Sequence, residues 1–154
     1  MSIHMEDQYN LKRFIDAQKN GVYERALDEI RSGKKKSHWM WFIFPQIDGL
    51  GVSCMAKRYS IKSLNEACEY INHPVLGKRL RDITMALLLL PTNDATEIMG
   101  FVDDQKLHSC MTLFAAVSEY KVFPVALNKF FHGEYDSNTM KLITSELEQR
   151  GMYM

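Results

Sequence analysis

Apolar residues recur along this chain at helical spacing, interrupted once by a run of a different character. Leu11, Phe14, Ile15 and Gln18 share one side of a helix over residues 10–18. Val22, Ala26, Leu27 and Ile30 do the same for a second helix over residues 22–30, with Gly33 as its stop. The interruption is Trp39-Met40-Trp41-Phe42-Ile43-Phe44, bounded by Lys36-Ser37 and Pro45. It is too short for a clear helix and reads as a buried strand or extended segment. Alternation would put Trp39, Trp41 and Ile43 on one face and His38, Met40, Phe42 and Phe44 on the other.

Helical spacing then resumes. Ser53 caps a helix that includes Met55, Ala56 and Tyr59, and Ser63 with Glu66 makes a capping box opening residues 64–71. Pro74 occupies the first turn of a longer helix carrying Val75, Leu76, Leu80, Ile83, Leu87 and Leu88, which ends before Pro91. Thr92 or Asn93 starts a short helix stopped by Gly100, and Asp103 caps the helix holding Leu107, Met111 and Phe114. Residues 123–131 and 137–150, each followed by a glycine, complete the set. The expected fold is mainly α: a multihelical single domain over residues 1–154 with a small β element.

Composition narrows what such a domain can do. At 154 residues the chain can enclose one core without disulfides or metal. Lys plus Arg and Asp plus Glu balance at 19 each, so net charge steers it towards neither nucleic acid nor an acidic membrane. Cys54, Cys68 and Cys110 form no CxxC pair, which points to reduced thiols rather than zinc. Ser2-Ile3-His4-Met5-Glu6-Asp7 does not resemble a signal peptide, and the longest apolar run, residues 85–90, falls far short of the ~20 needed to span a bilayer. A cytoplasmic protein without membrane contact, metal or cofactor is expected.

Four segments carry candidate chemistry. In the first, Lys36 and His38 lead into the aromatic run, an arrangement suited to a flat anionic ligand: Trp41 would stack while Lys and His meet phosphate or move a proton. A core strand with a solvated lysine run at its mouth explains the same residues. Because the run carries no charge it must be largely buried, which makes Trp41 a structural residue first. In the second segment, Asp48-Gly49-Leu50-Gly51-Val52-Ser53, two glycines let backbone approach a ligand and the following helix start offers free N–H groups. It is neither a Walker loop nor a dinucleotide fingerprint, and a tight turn accounts for it equally. The third is Asp103-Asp104-Gln105-Lys106, where Asp103 and Lys106 suit an ordinary surface pair unless that face lines a cleft. The fourth, His73-Pro74-Val75-Leu76-Gly77-Lys78-Arg79-Leu80-Arg81, places cations near a helix start, where the dipole favours anions. They either recognise phosphate or are structural, and Gly77 suggests close approach of another backbone. No Gly-x-Ser-x-Gly or His-Glu-x-x-His motif is present.

The block Ser37-His38-Trp39-Met40-Trp41-Phe42-Ile43-Phe44-Pro45-Gln46 stands with Gly49-Leu50-Gly51, His73-Pro74-Val75-Leu76-Gly77 and Met111-Thr112-Leu113-Phe114. Together they resemble the bacterial domain-of-unknown-function family eighteen-ten over nearly the whole chain. Some relatives carry the name calpastatin, which belongs to a disordered inhibitor and does not suit a globular sequence. The order of features is also similar to the NADAR, or YbiA-like, proteins, which act on ADP-ribose and related N-ribosyl compounds. Ser53-Cys54-Met55-Ala56-Lys57-Arg58-Tyr59 and Leu76-Gly77-Lys78-Arg79 look like the corresponding pieces, although Met55 stands where those relatives carry Glu.

Two function classes follow. One is an N-glycoside hydrolase or related enzyme on an ADP-ribose-like or nucleotide compound. Its transition state would resemble an oxocarbenium ion, which a carboxylate stabilises. Asp104 or Asp48 would supply the carboxylate, His38 a proton donor, Trp41 the stacking surface, and Lys36 or Arg79 the phosphate contact. Gly49, Gly51, Ser53 and Lys106 would line the same site. The other class is a non-catalytic module holding such a nucleotide, or a protein, in the same place. Either way, one cleft is expected to gather residues 36–46, the 49–53 turn and the 103–106 helix face.

Overall fold

The computed structural model describes residues 6–151, among which ten helices form. They are α1 (Lys12–Ala17), α2 (Val22–Arg31), α3 (Met40–Ile43), α4 (Cys54–Tyr59), α5 (Leu64–Asn72), α6 (Leu76–Leu88), α7 (Ala95–Met99), α8 (Asp103–Val117), α9 (Val122–Phe131) and α10 (Ser137–Gln149). Short polar side chains fix several starts. Ser53 accepts from the Ala56 N–H before α4, Asp94 from Thr96 and Glu97 before α7, and Asp136 from Thr139 before α10. Each such cap is worth about 1 kcal/mol. At α5 the Ser63 hydroxyl accepts from the Glu66 N–H at 3.1 Å, and the Glu66 carboxylate reaches back to the Lys62 N–H at 2.8 Å.

Helix α8 is the axis of the molecule. Leu107, Cys110, Met111, Leu113 and Phe114 are wholly buried on it, and α5, α7, α9 and α10 pack around it. A helix covered on so many sides belongs inside the fold. Helix α6 takes α2, α5 and α9 against it. At the α5–α6 corner a Cβ on Gly77 would stand 2.0 Å from the Ile71 carbonyl oxygen, so the close backbone approach implied by this glycine is real. The cap of α6 is one the sequence hides. His73 Nδ1 accepts from the N–H groups of Val75 and Leu76 at 3.1 and 3.2 Å, and the helix starts two residues after Pro74 rather than at it.

The expected β element is not found among the described residues. Residues 39–44 hold α3, and strand-type pairing is confined to an isolated parallel bridge between Ile47 and Ile61. Hydrogen bonding explains the difference. A lone strand in the core would leave its N–H and C=O groups unpaired. The turn instead pairs Ile43 N–H with Trp39 O at 3.1 Å and Phe44 N–H with Met40 O at 3.1 Å. The buried Gln18 amide donates to the Phe42 carbonyl at 2.8 Å. One turn also buries Trp39, Met40, Phe42, Ile43 and Phe44 while Trp41 stays partly exposed. At about 100° per residue, Trp41 lies nearly opposite Trp39 and Ile43 rather than beside them. No helix among the described residues is long and apolar enough to cross a membrane.

Candidate functional site

Glu29, on the last turn of α2, organises the loop that leads to α3. Its Oε1 accepts from the Lys36 N–H (2.7 Å), the Ser37 N–H (2.9 Å) and the Trp39 indole N–H (2.9 Å), and its Oε2 from the Ser37 hydroxyl (2.5 Å). Burial pushes this carboxyl up, but the Ser37, Lys36 and Trp39 donors outweigh it and bring its pKa down to about 2. Glu29 reads in the sequence as a surface helix glutamate. The one hint of its role is that an indole buried in an apolar run needs an acceptor.

The basic run beyond it is not uniformly solvated. Lys34 and Lys36 are exposed, whereas the Lys35 side chain is 9% exposed and its ammonium lies 2.9 Å from Asp103. Lys106 reaches the other oxygen of the same carboxylate at 3.2 Å. Asp103 is therefore not the cap of α8, whose N-cap position is Val102. It is the anion shared by two ammonium groups, which leaves one positive charge in excess. Lys35 sits 5.1 Å from the Trp39 ring centroid and Lys106 5.3 Å from that of Trp41, so each cation also faces an aromatic ring. Immediately before α8, Phe101 is 77% exposed and Val102 holds φ +85°, a strained value for a β-branched residue.

Trp41 thus joins two of the three expected pieces. It reaches the third as well, since Trp41, Gln46, Gly51, Ala56 and Tyr59 line a common crevice. That crevice encloses about 10 Å³, room for about one water and far below the ~300 Å³ of a small ligand pocket. Packing accounts for most of the turn. A Cβ on Gly51 would lie 2.5 Å from the Ala56 Cβ, Gly49 holds φ +107° beside Leu142, and Ser53 is committed to its cap.

The remaining candidates scatter. Asp48 accepts from the Ser60 hydroxyl at 2.7 Å and lies 3.5 Å from the Lys62 ammonium, on a side of the fold shared with α10. Asp104, one residue past Asp103, accepts from the Thr96 hydroxyl at 2.5 Å. His38 is exposed on the loop beside Lys36. Arg79 is not among the residues lining the crevice. Its guanidinium donates to Gln18 at 3.1 Å and covers the Tyr23 ring at 5.1 Å, a structural setting at the α2–α6 seam. No group of three or more His, Cys, Asp or Glu side chains suited to a metal occurs among the described residues.

Comparisons with known proteins agree with this architecture. The crystal structure of the conserved hypothetical protein Rv1873 from Mycobacterium tuberculosis superposes with a TM-score of 0.87. It is 43% identical, and the alignment covers 90% of this chain and 99% of that one. No curated protein matches the chain. The family model described as protein of unknown function (DUF1810) matches residues 8–143, which include Trp41, Asp103 and Lys106, and the chain therefore belongs to the DUF1810 family.

Proposed function

We propose that the chain binds an anionic, flat-ringed ligand of the nucleotide type on the face formed by the 34–38 loop, Trp41 and the first turn of α8. The observation that carries this reading is the placement of the Lys106 ammonium 5.3 Å from the partly exposed Trp41 ring, with Asp103 holding Lys106 and Lys35 together. Cation and aromatic surface come from segments 65 positions apart, as 106 − 41 gives. The crevice beneath them is too small to engulf a nucleotide, so the ligand would lie on the surface. Its base would stack on Trp41, and its phosphate would draw on Lys36 and on the Lys106 charge now shared with Asp103.

Cleavage of an N-ribosyl bond is a second reading, supported by Asp104 one residue from the ion triad. An ionised carboxylate there would face a developing oxocarbenium ion, with His38 as the proton donor to the leaving base. Asp48 and Arg79 drop out of both readings by their place in the fold: Asp48 lies beside Lys62 and α10, and Arg79 at the α2–α6 seam against Gln18 and Tyr23.

Calorimetric titration with ADP-ribose, run beside an assay for released base, tests both. The binding reading expects heat with the wild type and roughly tenfold or greater weakening in Lys36→Ala and Lys106→Ala, as for loss of a charge-assisted phosphate contact. Lys36 is exposed, so its variant should keep the wild-type thermal midpoint. No heat with the wild type, or wild-type affinity in both variants, overturns the binding reading. Binding without base release in wild type and Asp104→Asn alike removes the hydrolytic one.

A further inference from the structure

Away from that face, α2 and α6 leave an open groove along their shared outer side, a cavity of about 400 Å³. Tyr23, Leu27 and Arg31 supply one wall at successive turns of α2. Asp82, Met85 and Leu89 supply the other from α6 and its C-cap. Beside this recess stand two apolar prominences, Leu89 at 78% exposure and Met85 at 49%. Recess and prominence therefore belong to one face.

The charges at the groove are equally telling. It carries one cation, Arg31, and one anion, Asp82. Among the described residues Arg31 has no carboxylate within ion-pair distance. Asp82 meets Lys78 at 2.6 Å, but that pair is exposed and lies within one helix, so it contributes little and leaves the carboxylate shareable. A two-fold interface brings a patch against its own copy, so a contact from residue i to residue j is always matched by one from j to i. Two like charges at the groove would repel under that operation. One of each sign satisfies both copies at once.

We infer that two copies of this chain associate through the α2–α6 face. Leu89 and Met85 of each copy fill the groove of the other, and Arg31 of each meets Asp82 of the other. The inference is independent of the nucleotide reading, because the groove and the crevice at Trp41 have no lining residue in common.

Sedimentation equilibrium on the full chain, over roughly 1–100 µM, reads the outcome directly. The wild type is expected to approach twice 17.9 kDa at the upper end. Leu89→Asp should sediment as a monomer. Arg31→Glu and Asp82→Arg should each weaken association by about tenfold or more through like-charge contact across the two-fold, and the double charge swap should regain it. Arg31, Asp82 and Leu89 are all exposed, so the variants should keep the wild-type far-UV circular dichroism and report on association alone. A wild type that stays monomeric throughout, as expected if the groove serves some other molecule, overturns the inference. So does a dimer indifferent to Leu89→Asp, or a double swap no tighter than the single variants.

Discussion

Two tryptophans two positions apart have opposite jobs. Trp39 is 1% exposed, heads the fully buried side chains by size, and gives its indole N–H to Glu29. Trp41 is partly exposed beneath Lys106. Trp41 still packs against the core, but Trp39 carries the larger structural share, because a helical turn, unlike a strand, separates the two indoles. Trp39→Ala should cost about 3–5 kcal/mol, a large part of the ~5–15 kcal/mol available to a domain, whereas Trp41→Ala should cost roughly 1–2 kcal/mol. Urea denaturation of the two variants measures the difference, and equal losses would contradict it. Glu29 provides the pH dependence at this scale. Its folded pKa, about 2, lies below its ordinary 4.5, so the stability it contributes is present above about pH 4.5 and is lost as pH falls towards 2. Glu29→Gln keeps the shape but loses the charge that four donors share, which should cost about 1–3 kcal/mol at neutral pH. Urea midpoints across about pH 5 to 2 should fall less steeply in Glu29→Gln than in the wild type.

At the scale of elements, Gly77 sets two backbone effects against each other. Alanine is the better helix former by about 1 kcal/mol, and α6 would gain that. A methyl group there would stand 2.0 Å from the Ile71 oxygen and 2.7 Å from its carbonyl carbon, backbone atoms that cannot swing aside. Overpacking of this kind typically costs 1–3 kcal/mol and more when backbone must move, so the clash wins. Gly77→Ala should lower the thermal midpoint, and a stabilised variant would mean that the α5–α6 corner opens freely. Gly77 also shows why much of this fold was legible. Caps, glycine stops and apolar spacing are local signals, and they located α2, α5, α6, α9 and α10 to within a residue or two. The strand expected at 39–44 failed because the deciding partner is distant: the Gln18 amide on Phe42 O is 24 residues away. The site divided in the same way. The 36–46 segment, the 49–53 turn and the start of α8 do meet around Trp41, yet Gly51 is explained by Ala56 and Arg79 by Gln18. The local pairing of Asp103 with Lys106 was legible, but the roles of Glu29 and Lys35, and the sharing of Asp103 with Lys35, come from contacts that local patterns do not encode.

Across the whole molecule, the core is one contiguous cluster from Leu11 in the approach to α1 to Ile143 in α10. The short first helix is fastened to it by Phe14, wholly buried against Tyr59 and Tyr70, and by the polar contacts of Arg13. That guanidinium donates to the carbonyls of Tyr9 and Asn10 on its own segment, to those of Arg58 in the last turn of α4 and Ser60 just after it, and to the Glu66 carboxylate in α5 at 2.7 Å. The pair is well shielded, with side-chain exposures of 10% for Arg13 and 1% for Glu66. Two charges in such a place gain from each other much of what desolvation costs them, so the pair itself adds little net stability. Removing one partner is different, because the other charge then stays buried and uncompensated, at a cost of about 3–5 kcal/mol. Glu66→Ala should show that full penalty, since it strands Arg13 and also releases the Lys62 N–H that Glu66 accepts at α5. Replacing both, Arg13→Met with Glu66→Leu, should recover part of the loss by exchanging a charge pair for apolar packing. Because every helix feeds the same core, both variants should unfold in one transition, with tryptophan fluorescence and far-UV circular dichroism giving coincident curves. If α1 came away first, the dichroism signal would change before the fluorescence of Trp39. The view of Arg13 as a tie across a single cooperative unit would then fail.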